Sequence, residues 1–419
     1  MDRRQFFVVA GAAMAATRLA ACEEQRTASR GRGAEGRWDA VRARFLAAED
    51  WIHMAGLLIA THPEPVRERI REHRRGLDVN PGAYVDDHFE DGEAEVRSAA
   101  ADYLGVDAAD VALTDSTTMA IALVYNGMAV RAGQELLTTE HDYFVTHEAL
   151  AYKAARSGAT VRRIRLYDDA ASATAEEIVA RLRQAIRSET RALALTWVHS
   201  GTGLKLPARE IAQLVAEVNA GRGDADRLLY CLDGVHGLAV EPDDLPELGC
   251  DFFMAGTHKW LFGPRGTGIL WGAPRAQATV SPTIPTFSRQ QGWGPRMTPG
   301  GFKAFEHQWA LADAFRFQQE LGKGDVAERI HQLARQTKEG LARMPHVRLH
   351  TPMDDALSAG IVCFDVQGMS PAGVVSRLRD RKIVASETPY TPAHARLAPG
   401  LLNSPEEVER TLAAVAEMG

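Results

Sequence analysis

Lys259 is the residue whose sequence surroundings depart furthest from those of a solvated charge. It stands between an apolar run, Asp251-Phe-Phe-Met-Ala-Gly256, and a glycine-rich turn, Gly263-Pro-Arg-Gly-Thr-Gly268, that feeds a second apolar run ending at Trp271. Its neighbours are Thr257, His258 and Trp260 in place of acids and other lysines. A lone lysine is ordinarily a surface charge. One placed just past a buried strand is a single amine offered to a crevice. Upstream, Leu228-Leu-Tyr-Cys-Leu-Asp233 is an apolar strand ending in a carboxylate, followed by Gly234, Val235 and His236. Capping the next turn is the ordinary role of such an aspartate.

Asp233 and Lys259 are 26 residues apart, enough for one crossover between neighbouring strand ends. An amine and a carboxylate converging on one crevice suit pyridoxal phosphate, whose aldehyde needs the amine and whose ring nitrogen needs the anion. Its phosphate needs a cradle. Thr114-Asp-Ser-Thr-Thr118 opens an apparent helix and offers hydroxyls and free N–H groups where the helix dipole favours an anion. N-capping alone explains any single one of these hydroxyls.

The elements that must position these groups alternate. Strands are expected near Glu135 to Thr138, Thr160 to Leu166, Arg191 to Val198, Leu228 to Leu232, Phe252 to Ala255 and Gly268 to Trp271. Helices are expected from Tyr143 to Arg156, Ala175 to Ile186 and Ala208 to Val218, and earlier from Trp38 to Asp50, Pro65 to Arg75, Glu93 to Leu104 and Thr117 to Ala129. Such alternation predicts an α/β fold with a mostly parallel sheet covered on both faces. Ligands in such folds gather at the carboxyl ends of the strands. After Gly301 two helices, about Phe302 to Glu320 and Val326 to Met344, lead into short strands, a helix from Pro371 to Asp380 and a last helix from Ser404. The expected organisation is a body over 37–300 and a smaller C-terminal α/β domain over 301–419, joined by the N-terminal helices.

Thr257-His-Lys259 before its glycine-rich turn, Asp233-Gly-Val-His236 and the Ser116-Thr-Thr118 helix start together resemble the class V aminotransferase-fold enzymes. These use pyridoxal phosphate and include cysteine desulfurases, selenocysteine lyases and isopenicillin N epimerase-like proteins. The resemblance runs from about Trp51 to the C-terminus and implies transferase fold type I. It implies that Lys259 links the cofactor aldehyde as an internal aldimine, that Asp233 keeps the pyridine nitrogen protonated, and that His236 lies near the phosphate. His141, in Thr139-Glu-His-Asp-Tyr143, matches the family's ring-stacking histidine. Ser200, in Val198-His-Ser-Gly-Thr-Gly203, falls where a side chain meets the ring hydroxyl, a place many members fill with Asn. Thr117, Thr118 and His258 would hold the phosphate. Arg396 matches the arginine that forks onto the substrate carboxylate; pairing with Glu406 or Glu407 is its other reading. His141 and His236, taken singly, read as ordinary partly buried histidines. A homodimer with the site at its interface is implied, with 283–301 a segment that could reach across.

The implied reaction starts with Lys259 as base on the α-proton of an amino acid. Epimerisation comes first on overall likeness, β-elimination second, and transamination stays open. Sulfur-relay desulfurases carry a nucleophilic cysteine shortly before the carboxylate-binding arginine. Here Ser386-Glu-Thr-Pro-Tyr-Thr-Pro392 has none, and Cys363 lies in a strand-like run, so a persulfide relay is disfavoured. Loops at Thr61 to Pro65 and Glu387 to Tyr390 are expected to read the substrate side chain. The rival from another class is a cofactor-free binding protein of the envelope that keeps the fold.

The first 22 residues have a charged start, an apolar middle and small residues before Cys22, the plan of an export signal too short in its apolar part to span a membrane. Arg3-Arg4 followed by Phe6 and Phe7 resembles a twin-arginine signal, and Leu19-Ala-Ala-Cys22 a lipobox. The expectation is a periplasmic or envelope enzyme anchored by lipid on Cys22, with 23–36 as a polar tether. A net charge of -7 gives no reason to expect nucleic acid. The other cysteines, Cys231, Cys250 and Cys363, sit in or beside apolar runs with neither disulfide nor metal-ligand spacing, and no metal site is expected.

Overall fold

Seven strands order the centre of the molecule as β2-β8-β7-β6-β5-β3-β4, in a computed structural model that describes residues 35–48 and 50–419. They are β2 (Val111–Thr114), β3 (Glu135–Thr139), β4 (Thr160–Ile164), β5 (Thr190–Thr196), β6 (Leu229–Asp233), β7 (Phe252–Gly256) and β8 (Gly268–Gly272), with β1 (Ile52–His53) before them. One strand is reversed: β8 pairs antiparallel with β2 and β7, and all other pairs are parallel. Every residue of β5, β6 and β7 is buried, as strands covered on both faces must be. Edge strand β4 instead exposes Thr160 and Arg163, charge that discourages pairing with another chain.

The longer helices are α1 (Glu64–Val79), α2 (Pro81–Leu104), α3 (Thr117–Gly127), α4 (Phe144–Ser157), α5 (Ala175–Ala185), α6 (Ala208–Asn219), α7 (Leu311–Leu321), α8 (Lys323–Ala342), α9 (Pro371–Asp380) and α10 (Pro405–Ala416). The α3 and α4 residues Ile121, Val124 and Leu150 pack with Ala194, Cys231 and Met254 of the sheet in one core.

A second, four-stranded antiparallel sheet has the order β12-β13-β10-β9, from β9 (Val347–Leu349), β10 (Val362–Val366), β12 (Ser386–Glu387) and β13 (Ala395–Leu397). Its own core joins Phe364 and Leu397 to Leu333, Val374 and Val408 of α8, α9 and α10. Strand β1 pairs in parallel with β11 (Ile383–Val384), so the early chain meets this region through a strand where helices were expected.

Several boundaries differ from the sequence expectation. Helix α2 begins at Pro81, twelve residues before the expected start, because Asn80 caps Ala83 and restarts the chain despite Gly82 and Gly92. The stretch from Phe302 divides at Ala310 into Phe305–Trp309 and α7. Helix α8 starts at Lys323, with Gly322 at φ 83° making the bend. The described residues 35–45 and Leu46–Gly419 belong to separate units, and in the first the helix spans 35–42, beginning inside the expected tether and ending well short of Asp50. The expected export signal, Cys22 and most of the expected tether lie outside the described residues. Among described residues no helix is long and apolar enough to cross a membrane.

Candidate active site

Strand β7 delivers Lys259 to the carboxyl edge of the sheet. A Cβ on Gly256 would sit 2.8 Å from Thr117 Oγ1, so glycine lets the start of α3 close onto the strand end, where the Gly256 N–H donates to Thr117 Oγ1 at 2.7 Å. The loop beyond is tied back by the Gly263 N–H on the Thr257 carbonyl at 2.8 Å and the Phe262 N–H on the Lys259 carbonyl at 3.0 Å. Buried Phe262 is held at φ 61°, a left-handed conformation costing on the order of 1–3 kcal/mol and tolerated only where surroundings over-determine it. Burial lowers the Lys259 amine to a pKa of about 8; Asp233 opposes that shift and Arg396 adds to it. Its Nζ lies 3.3 Å from His236 Nε2.

Asp233 is the last residue of β6 and is buried. Its Oδ1 accepts the Val235 N–H at 3.1 Å. Burial raises its carboxyl to about 6, against the pull of that N–H and of Lys259. His236 is driven well below the ordinary imidazole value, first by burial and then by Lys259, so it is neutral. Buried Nδ1 of His236 and Oγ1 of Thr196 have no hydrogen-bond partner among the described residues. Buried polar groups are normally paired, and two such orphans at neighbouring strand ends mark a place for a ligand.

The same cavity, about 220 Å³, is lined by Thr117, Thr118 and His258. Ser116 caps α3 by accepting the Met119 N–H at 3.1 Å, and the first-turn N–H groups of Thr117 and Thr118 have no acceptor within a helix. Burial also lowers the His258 imidazole. This is an anion cradle: two hydroxyls, two amides and the positive end of an eleven-residue helix.

Arg396 comes from the other sheet, on β13, and lines the cavity. Three acceptors aim it: Nε donates to Ser386 Oγ at 2.9 Å, Nη1 to the Ser200 carbonyl at 2.9 Å and Nη2 to the Glu387 carbonyl at 3.1 Å. A guanidinium has five N–H donors, so two remain for a carboxylate. The alternative pairing with Glu406 or Glu407 is not formed. Glu407 instead completes a capping box with Ser404 at the start of α10.

Lys259, Asp233, His236, Thr117, Thr118, His258, Ser200 and Arg396 thus line one cavity. His141 is placed apart from that wall. Its ring stacks on Tyr167 with centroids 3.9 Å apart and planes 10° from parallel, and its Nε2 accepts the Leu166 N–H at 3.2 Å. Burial, with a smaller push from His199, lowers it to about 3. The aromatic ring that this loop gives to the cavity is Tyr143. Leu57 and Leu58 take the place expected for Thr61 to Pro65, whereas Pro389 lines the cavity from the expected Glu387 to Tyr390 loop.

Sequence reasoning assigned no role to two further residues, Asp142 and Thr196, and named Tyr390 only as the end of a substrate-reading loop. Buried Asp142 accepts from Thr138 Oγ1, Thr139 N–H and Thr139 Oγ1 at 2.7–2.8 Å and from Thr196 N–H at 2.6 Å, tying the ends of β3 and β5 together. Tyr390 OH lies 2.9 Å from Ser200 Oγ, and Gly201 leaves room for its ring, 3.0 Å from where a Cβ would be. Thr196 was read only as part of a strand. Asp142 sits beside His141 in the same motif, and that adjacency was the available signal.

The residues fit pyridoxal phosphate on their own chemistry: an amine of depressed pKa, a buried carboxylate, an anion cradle and unpartnered polar atoms around one cavity. The aminotransferase class-V family model matches residues 60–394, and the chain belongs to that family. It is a pyridoxal phosphate-dependent enzyme, which decides against a cofactor-free scaffold. The chain is 27% identical over 394 residues to an isopenicillin N epimerase from Streptomyces clavuligerus, covering 89% of this chain and 96% of the relative. It is 28% identical to a cysteine desulfurase from Klebsiella pneumoniae, over 76% of this chain and 80% of that one. Among solved structures, the cystine C-S lyase C-DES in complex with cysteine persulfide superposes with a TM-score of 0.81 at 22% identity, over 88% of this chain and 98% of that one. An apo cysteine desulfurase from Thermococcus onnurineus gives 0.77 at 19%, over 90% and 97%.

Proposed function

We propose that the enzyme epimerises an amino acid at its α-carbon, holding the α-carboxylate on Arg396 and moving the α-proton with Lys259. The observation that carries this is the pairing of those two residues in one cavity. A guanidinium fixed by three acceptors sets the carboxylate, and an amine near neutrality works at the adjacent carbon. When bound, the cofactor supplies an aldehyde for the substrate amine and a ring that takes up electron density from the α-carbon. Asp233 would hold a proton on the ring nitrogen. The start of α3 would anchor the phosphate, and neutral His236, 3.3 Å from Lys259 Nζ, can share that amine's proton. Near-full-length likeness to isopenicillin N epimerases supports epimerisation as the outcome.

The cysteines of the described residues, Cys231, Cys250 and Cys363, are all buried, and burial raises each thiol well above its ordinary range, Cys250 and Cys363 to about 12. None is a persulfide carrier. Tyr143 gives the cavity an acid that could protonate a β-leaving group, and this favours a β-eliminating lyase as the second reading. Incubating candidate amino acids with the holoenzyme in heavy water separates the outcomes. Epimerisation returns both hands of the amino acid with deuterium at the α-carbon. Elimination gives a keto acid with ammonia. A substrate consumed with neither result overturns both.

Export by a twin-arginine signal and a lipid on Cys22 are part of the same proposal, resting on residues 1–22. Changing Arg3 and Arg4 together to Lys should retain the protein in the cytoplasm. A homodimer is supported by exposed Ile284, Phe287 and Phe302 in and beside 283–301. Sedimentation of the purified protein checks it.

A further inference from the structure

One face of the four-stranded sheet carries a group of side chains that the reaction does not use. His350 follows β9, Asp365 lies on β10 and His394 immediately precedes β13. The antiparallel register pairs Cys363 with Arg396, and the His350 N–H donates to the Cys363 carbonyl at 2.9 Å. Since alternate residues of a strand share a face, Asp365 lies on the side of Cys363, and His394 on the side of Arg396.

The three side chains converge. His350 Nε2 is 2.7 Å from Asp365 Oδ2, His394 Nδ1 is 2.9 Å from Asp365 Oδ1, and the two imidazole centroids are 3.8 Å apart. One ligand atom from each lies within 4.8 Å of the others. Each imidazole is only 12% exposed, while the carboxylate is 38% exposed, which leaves a path from solvent.

We infer that His350, Asp365 and His394 form a site for a divalent first-row transition metal ion such as zinc, at the foot of the loop that closes the active cavity. Two imidazoles and a carboxylate are a ligand set for such ions, with a remaining position for water. The location gives the ion a task. Residues 388–394 form a loop closed at its base by the Thr388 N–H on the His394 carbonyl at 2.9 Å and the His394 N–H on Thr388 Oγ1 at 2.9 Å. Pro389 of this loop lines the cavity and Tyr390 reaches Ser200. An ion on His394 therefore clamps the loop base to β9 and β10, two residues from Arg396.

The test is calorimetric titration of chelator-treated holoenzyme with zinc ion alone, at neutral pH. One equivalent should bind to the parent protein and raise its melting temperature. Both effects should be lost in His350→Ala and in His394→Ala, and weakened in Asp365→Asn, which preserves side-chain shape. Retained cofactor absorbance shows that each variant is folded. Should a variant fail to fold, X-ray absorption of the cobalt-loaded parent serves instead, and two imidazole ligands are expected. Absence of a bound equivalent in the parent, equal binding in both folded histidine variants, or a cobalt spectrum without imidazole ligands would each overturn the site.

Discussion

The two sheets treat their charged groups in opposite ways. At the edge of the seven-stranded sheet, Lys259 has one weak contact, Asp233 accepts one N–H, and His236 Nδ1 and Thr196 Oγ1 accept or donate nothing. On the four-stranded sheet, Arg396 has three acceptors and Asp365 two imidazoles. The first set is buried with few partners, and its chemistry is open: burial brings the amine down to about 8 and the carboxyl up to about 6. The second is well partnered, and its geometry is fixed. A site that must react with one end of a ligand and orient the other needs both kinds of surroundings.

The largest test of this contrast is Lys259→Ala. Removing the reactive amine should lower turnover by about 10⁴-fold, and the protein should lose the visible absorbance change produced by borohydride. Arg396→Lys keeps a charge but not the fork. It should raise KM by about 100-fold, the cost of two charge-assisted hydrogen bonds, with a smaller effect on kcat, measured by steady-state kinetics. An equal fall in kcat with unchanged KM would mean that Arg396 does not hold the substrate.

The pH profile of cofactor capture by the apoprotein comes next. Lys259 reacts as the neutral amine, whose fraction grows as pH rises through about 8, not through 10.5. Capture followed by visible absorbance should therefore accelerate across that value. The same depressed pKa means that the unfolded chain binds more protons between about 8 and 10.5, so apoprotein stability should rise with pH over that window. In the apoprotein Asp233 gains a proton as pH drops through about 6, so cofactor capture should also weaken there. The smallest effect is expected of Tyr390→Phe. Loss of the hydroxyl on Ser200 removes about 1 kcal/mol, about fivefold in kcat/KM, without moving either limb of the pH profile.

These contrasts also separate what could be read from the chain. Most of the cavity is local in sequence. Asp233 ends a fully buried strand, His236 stands three residues later, Lys259 stands three residues past Gly256, and Thr117 opens the helix that follows β2. In a parallel sheet the strand ends are the site, so finding the strands nearly finds the residues. His141 shows the limit of that reasoning. Its position in the chain is right for the crevice, yet its ring lies against Tyr167 while Tyr143, two residues on, lines the cavity. Which side chain of a loop turns inward depends on what packs behind it.

By itself the sequence determined the strand–helix alternation, the parallel sheet and the amine, carboxylate and anion cradle along its edge, because burial on both faces writes continuous apolar runs with polar residues at their ends. The tertiary structure alone decided that Asp142 ties β3 to β5, that Tyr390 reaches Ser200, and that His350, Asp365 and His394 meet. Those contacts depend on strand register, and on the docking of a loop 190 residues away in the chain from its partner. Neither leaves a spacing in the sequence, since a one-residue change of register would turn the same side chains to the opposite face.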